Sequence, residues 1–396
     1  MLYQEEANKC LLCKKPRCQQ NCPIGTSIPE VIRLYQEGKL LEAGKILFEN
    51  NPLSLVCSLI CAHEKQCNGN CIKGIKGKPV DFYKIETEIS EYFLTHLKFT
   101  EPAEKKDEIA IIGGGPAGIT IAFILAQKGY RITIFDMHPK IGGVLRYGIP
   151  EYRLPKHLID QMEEKLIELG VQICPNTLIG PVITLDRLFE DGYKAVFIGT
   201  GVWNPKILGI KGETAGNVHY AIDYLKTPEI YRLGKKVAVI GAGNSAMDAS
   251  RTAKRNGAES VTVFYRKSFE EIPASKAEVK EAIEDGVEFS LHRTPVSIER
   301  EGVRFHVTEE EEREELFACD SVLIAIGQTP KSNIVSSTEE LEITHHGLLV
   351  TDEIGHTTKV GTFASGDVVT GAKTVVEAVA QAKVVAETMD KYCKEN

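Results

Sequence analysis

No apolar run in this 396-residue chain approaches the ~20 residues that a bilayer-spanning helix requires. Positive charge is not in excess either: 47 Lys and Arg against 55 Asp and Glu give a net charge of −8. That balance offers no electrostatic footprint for nucleic acid or an anionic lipid surface. The opening residues, Met1-Leu2-Tyr3-Gln4-Glu5-Glu6, carry neither the basic flank nor the apolar core of a secretory signal. The expectation is a cytoplasmic protein with no nucleic-acid and no membrane partner. In that compartment clustered thiols more often hold metal than pair as disulfides. Beyond residue 71 cysteine is scarce: only Cys174, Cys319 and Cys393 remain, each isolated. The dinucleotide-type segments described below therefore lack the Cys pair that a flavin disulfide reductase needs.

What the chain has in abundance is cysteine at one end. Eight of its eleven cysteines fall in two groups, Cys10-x₂-Cys13-x₄-Cys18-x₃-Cys22-Pro23 and Cys57-x₃-Cys61-x₅-Cys67-x₃-Cys71. Iron–sulfur clusters take most of their thiolates from short loops, and in two-cluster ferredoxins the cysteine before a proline serves the other cluster. By that logic Cys10, Cys13 and Cys18 draw a fourth ligand from the second group, and Cys22 joins that group's remaining cysteines. Two four-iron clusters account for this many thiols. Structural zinc also uses Cys-x₂-Cys pairs, and disulfides are a third use. The x₄ and x₃ spacings, the Cys-Pro step and the nucleotide loops nearby weigh toward iron and sulfide. Between and after the cysteines, apolar residues at helical spacing predict helices over Ile28–Tyr35, Leu40–Phe48 and Ile85–Leu97.

After a charged linker at residues 102–108 the pattern becomes strand, glycine loop, helix, which signals a parallel α/β sheet. It starts twice, at Ile109 and Val237. The first loop, Gly113-Gly114-Gly115-Pro116-Ala117-Gly118, opens a helix whose positive end receives a pyrophosphate. The next strand, Arg131–Phe135, ends in Asp136, placed for a ribose hydroxyl. In the second loop, Gly241-Ala242-Gly243-Asn244-Ser245-Ala246, the acid's place is taken by Tyr265, followed by Arg266 and Lys267. An adenosine 2′-phosphate suits that exchange, so this loop is the NADP(H) site; Lys276 is a weaker candidate for the same phosphate. The first loop then falls to a flavin, with Gly366 and Asp367 at a strand end. Thr374 opens a helix with Val375, and that helix start, aimed at the isoalloxazine, would stabilise negative charge on the reduced ring. The acidic run Glu309–Glu315 reads as a solvated hairpin edge.

Taken together, the two cysteine groups, IGGGPAG, GGVLRYGIP at Gly142–Pro150, IGAGNSAMD, VFYRK and ASGDVVTGAKTVVEAV resemble the small (beta) subunit of glutamate synthase. The same module forms the N-terminal part of dihydropyrimidine dehydrogenase and the large subunit of electron-bifurcating ferredoxin–NADP transhydrogenase, and the resemblance covers essentially the whole chain. It implies an α/β fold: two Rossmann-like dinucleotide-binding domains of the thioredoxin-reductase type, one inserted in the other, preceded by an α-helical iron–sulfur domain. The implied boundaries are 1–103 for two [4Fe–4S] clusters, 104–212 with 330–396 for FAD, and 213–329 for NADP(H). Gly143 and Arg146, within GGVLRYGIP, join the FAD set. Carried over by motif, Cys10, Cys13, Cys18 and Cys71 would hold one cluster, and Cys22, Cys61 and Cys67 the other, with Glu86 as fourth ligand and Cys57 as its rival. Where the family often has two arginines, this chain has Arg266 and Lys267, and a lysine loses the bidentate fork.

The expected function is an NADPH-linked FAD/iron–sulfur oxidoreductase subunit. Hydride would pass between NADP(H) and FAD, and single electrons through the clusters to or from a partner subunit bearing another flavin or iron–sulfur centre, or a ferredoxin. No side chain is required as an acid–base catalyst, and none is assigned. Nothing in the chain resembles a glutaminase, an FMN-binding barrel or a pyrimidine site, so the second half-reaction is expected on another polypeptide. The alternatives are the NAD(P)H-oxidising subunit of a dihydropyrimidine dehydrogenase-like complex and a non-catalytic electron relay.

Overall fold

The computed structural model describes residues 1–308 and 313–396. The first four residues of the expected acidic hairpin edge, at 309–312, lie outside the described residues. Two compact units emerge. One comprises Met1–Leu145, Tyr152–Val202 and Pro330–Asn396; the other comprises Arg146–Glu151 and Trp203–Thr329. The boundary at Trp203 precedes the expected position 213, and the cysteine-bearing helices belong to the first unit.

In that unit the predicted helices form as Ile28–Gln36, Leu40–Asn50 and Phe82–His96. Ile28, Val31, Ile32 and Tyr35 repeat at helical spacing and bury one face against Leu47, Ile85 and Ile89. Gly44 permits the close crossing of two of these helices: a Cβ there would sit 2.4 Å from Phe93 Cβ. Phe48 meets Phe123 edge-on at 5.3 Å between ring centroids, which joins the helical region to the α/β part. A short helix, Ser54–Ile60, carries Cys57 and was not expected.

The first sheet is parallel, in the order Thr362–Ala364, Ala195–Ile198, Glu108–Ile112, Arg131–Phe135, Gln172–Cys174. Ile109 to Ile112 are all buried, as strands covered on both faces must be. Strand order reverses beside Glu108–Ile112, and ligands of such sheets bind at the carboxyl ends of the strands next to that reversal. Helix Pro116–Gln127 packs on the C-terminal helix Val375–Glu395. Asp390 pins the latter, its Oδ1 accepting from the Tyr130 hydroxyl (2.9 Å) and its Oδ2 from Lys128 and Lys394 (both 2.9 Å).

The second unit repeats the plan. Its parallel sheet runs Val218–Tyr220, Ser321–Ile324, Lys236–Ile240, Ser260–Phe264, Glu288–Ser290. Beside it lies an antiparallel sheet of Arg293–Ile298, Gly302–Val307 and Glu314–Ala318, with Phe264 stacked on Phe305 at 4.1 Å. Among the described residues no helix is long and apolar enough to cross a membrane.

Candidate functional site: a thiol-lined pocket and two glycine loops

All eleven cysteines are free thiols. Cys10, Cys13, Cys18 and Cys71 line one open cavity together with Cys67, walled by Ile28, Ile32, Val80 and Phe82. Leu12, between the first two cysteines, has φ +45°, a left-handed conformation that is costly for a leucine and turns the loop. Burial pushes the Cys10 thiol up and takes Cys18 to about 11, with neighbouring thiols adding to the effect. Iron would therefore bind with release of protons. Among the described residues no group of three His, Cys, Asp or Glu donors is arranged to hold a metal ion.

The second thiol group is linked to this cavity through Cys67. Cys67 interacts electrostatically with Glu86 and Cys22, and its thiol is raised chiefly by burial. Cys61 is hydrogen-bonded to Cys57 and feels Glu86 and Cys67; that bond and burial raise it well above the usual thiol range. Both rivals for the fourth ligand thus act on Cys61, and Glu86 acts on Cys67 as well. Glu86 is 7% exposed, and among the described residues it has no hydrogen bond or ion pair. Burial first, then the Cys57 charge, raise its carboxyl well above the ordinary range. A buried carboxyl without a donor is costly on its own and fits a metal ligand. His63, which sequence reasoning missed, places Nδ1 3.7 Å from Cys67 Sγ and stacks on Tyr83.

Around the first cavity the surface is basic and partly apolar. Residues 9–22 and 65–80 contain eight Lys and Arg and no Asp or Glu, in a chain whose net charge is negative. Leu11 and Ile75 are exposed there at 62% and 63%.

At the first glycine loop, Gly113 has φ +99°, and a Cβ would lie 2.6 Å from the Gly199 carbonyl oxygen. Gly118 is closer still, its Cβ position 2.1 Å from Gly113 O. Gly115 caps helix Pro116–Gln127, and a Cβ there would lie 3.9 Å from Gly143 Cα. Ala117 is buried behind the loop. The glycines leave the start of helix Pro116–Gln127 clear of side-chain bulk, as close approach of a pyrophosphate needs. Asp136 is 4% exposed and braces the loop: Oδ2 accepts from Gly114 N (2.7 Å), and Oδ1 from His138 N (2.8 Å) and Nδ1 (3.0 Å). Oδ1 is fully used by His138, and one lone pair remains on Oδ2 for a ribose hydroxyl. Just past strand Thr362–Ala364, Ser365 is buried, and among the described residues its Oγ has no partner. Burial takes the Asp367 carboxyl up to about 6, and Gly366 N donates to Gln381 Oε1 (3.0 Å). Thr374 and Glu377 form a capping box at the start of helix Val375–Glu395. Gly113, Gly115, Pro116, Gly118, Asp136, Gly143, Gly366, Asp367, Thr374 and Val375 all fall in the first unit, whereas Arg146 falls in a segment of the second.

In the second unit Gly241 repeats the turn with φ +115° and a Cβ position 2.3 Å from Ala325 O, while a Cβ at Gly243 would meet nothing within 4 Å. That open face lies at the start of helix Asn244–Arg255, which carries Ser245 and Ala246. Asn244 Oδ1 accepts from Ser275 N (3.1 Å), so the side chain holds the loop before Lys276. Arg266 is exposed, with no ion pair among the described residues, as is Lys276. Lys267 is different. Its Nζ donates to Glu271 Oε1 at 2.9 Å, a bond that raises its pKa. Glu271 also forms a capping box with Ser268, a Ser-x-x-Glu pattern legible in the sequence.

Residues 107–382 match the family model described as pyridine nucleotide-disulphide oxidoreductase, and residues 2–97 match dihydropyrimidine dehydrogenase domain II, 4Fe-4S cluster. The chain is 33% identical to the glutamate synthase [NADPH] small chain of Halomonas elongata, over 98% of this chain and 90% of that one. It is 32% identical to the NAD-dependent dihydropyrimidine dehydrogenase subunit PreT of Salmonella typhimurium, over 100% of this chain and 95% of the relative. Among solved structures, the thioredoxin reductase of T. acidophilum superposes with a TM-score of 0.60 at 21% identity, covering 74% of this chain and 99% of that one.

Proposed function

Because the chain belongs to the pyridine nucleotide-disulphide oxidoreductase family, matches a 4Fe-4S domain at residues 2–97 and is similar to glutamate synthase [NADPH] small chains, we propose that it is an NADPH-oxidising FAD/iron–sulfur subunit with two [4Fe–4S] clusters. Bound flavin exchanges a hydride pair with nicotinamide and single electrons with clusters, which is the chemistry such a subunit requires. The observation that carries the reading is that both thiol groups and the Gly113–Gly118 loop lie in one compact unit, joined through Phe48 and Phe123.

Each set of residues has a defined task. The Gly113 and Gly241 loops present backbone N–H groups at helix starts, one to the FAD pyrophosphate and one to the nicotinamide dinucleotide. Asp136 and Asp367 offer acceptors to ribose and ribityl hydroxyls, and Thr374 places a helix start at the flavin ring. Cys10, Cys13, Cys18 and Cys71 hold one cluster; Cys22, Cys61, Cys67 and Glu86 hold the other. Arg266 takes the 2′-phosphate. The basic, partly apolar rim around the Cys10 cavity supports delivery of electrons to an acidic face of a partner subunit. Lys267, held by Glu271, supports a second reading in which NAD(H) is the nucleotide; the Salmonella relative is named as NAD-dependent.

Anaerobically purified protein tests this directly. Stoichiometric FAD, about eight irons and eight acid-labile sulfides per chain, and bleaching of flavin and cluster absorption by NADPH are expected. Tightly bound zinc without labile sulfide would refute the cluster assignment. A loaded chain that neither nucleotide reduces would be a relay.

A further inference from the structure

Lys383 lies in the middle of helix Val375–Glu395, half-buried, and its Nζ donates to Asn50 Oδ1 at 2.6 Å. Asn50 Nδ2 donates in turn to Thr26 Oγ1 (3.4 Å), and Thr26 Oγ1 lies 3.4 Å from Cys22 Sγ. Among the described residues no carboxylate pairs with this ammonium. Burial lowers its pKa, and the charge of Cys22 acts to raise it again. A partly buried cation without a counterion is unfavourable unless an anion completes its surroundings. The group it faces through Asn50 and Thr26 is Cys22, and an iron–sulfur cluster with its thiolates is anionic. Two residues earlier on the same helix, Gln381 holds the Gly366 amide of the flavin-side loop. One helix therefore fixes both the flavin loop and a cation beside the neighbouring cysteine.

We propose that Lys383 is the residue that sets the reduction potential of the cluster held by Cys22, drawing electrons from the flavin side toward it. The inference rests on the cluster assignment above. Reduction adds one electron to the cluster and makes or breaks no bond, so a fixed positive charge nearby stabilises the reduced form and raises the midpoint. Asn50 and Thr26 hold the cation at its distance.

Redox titration of the full chain, monitored by electron paramagnetic resonance, tests it. Lys383→Gln should move one cluster's midpoint to more negative potential and leave the other in place, with iron and sulfide content unchanged. Lys383→Arg should stay at the wild-type midpoint. Asn50→Asp, which puts a counter-charge against the ammonium, should lower the same midpoint without touching Lys383. An unmoved midpoint in an iron-loaded Lys383→Gln protein, or an equal shift of both clusters, would overturn the proposal. Loss of iron in both Lys383→Gln and Asn50→Asp would show a structural role and overturn it too. Absence of iron and sulfide from the wild-type chain would instead overturn the cluster assignment.

Discussion

Replacing Arg266 by alanine removes a cation whose place beside the nucleotide loop is fixed by the sheet. Phe264 pairs in register with Ile240, and its carbonyl accepts from Gly241 N at 3.0 Å, so the end of strand Ser260–Phe264 is tied to the loop. Arg266 follows two residues later, exposed and without an ion pair among the described residues. Its removal therefore breaks nothing within the protein and costs only what it gives the ligand. A hydrogen bond to a charged group is worth about 1.5–3 kcal/mol, which is roughly ten- to hundred-fold in affinity. The dissociation constant for NADP⁺, measured by isothermal titration at fixed salt, should rise by that factor while NAD⁺ binding changes little. Glu271→Gln makes the complementary change. It releases Lys267, which should then join Arg266 and strengthen NADP⁺ binding. Equal losses for both nucleotides in Arg266→Ala would refute the 2′-phosphate assignment. So would an unchanged NADP⁺ affinity.

Three further outcomes follow from the same geometry. If Glu86 is the fourth ligand, Glu86→Ala should alter one cluster's paramagnetic signal while Cys57→Ala stays nearly silent; the reverse pattern would identify the cysteine. Asp136→Ala takes away the acceptor for Gly114 N and for His138, so purified variant should carry much less FAD while iron and sulfide content is kept. Burial works to raise Asp390, but the bonds from Lys128, Lys394 and Tyr130 outweigh it and hold the carboxyl at about 2, below its ordinary 3.8. The folded state therefore gains stability that is present above about pH 4 and lost as pH falls toward 2. Asp390→Asn should lose about 2 kcal/mol at pH 7, read from denaturant unfolding, with the gap to wild type closing in acid.

The α/β plan was legible because it rests on local pattern: buried strands such as Ile109–Ile112, glycine loops whose φ only glycine tolerates, and a repeat of both. Helices Ile28–Gln36 and Phe82–His96 announced themselves by an amphipathic stripe. Helix Ser54–Ile60 had no stripe to read, since Ser54 through Ser58 are all buried and polar and apolar residues are mixed without period. The pairing of Lys267 with Glu271 had a local signature in the Ser268-x-x-Glu271 capping box. The contact between Lys383 and Asn50 had none, because it joins residues 333 positions apart. That distance explains why the cysteines could be grouped from spacing while the cation near Cys22 stayed hidden.

Phe48 touches three other aromatic rings: Phe93 from helix Phe82–His96, Phe99 from the segment that follows it, and Phe123 from helix Pro116–Gln127. These rings tie the cysteine-rich region to the α/β part of the same compact unit. The two regions should unfold as one cooperative step, with no intermediate in which either persists alone. Oxidative damage that opens the thiol pocket would then loosen the grip on the flavin as well. A subunit that has lost its outlet for single electrons would thus also lose the centre that collects them.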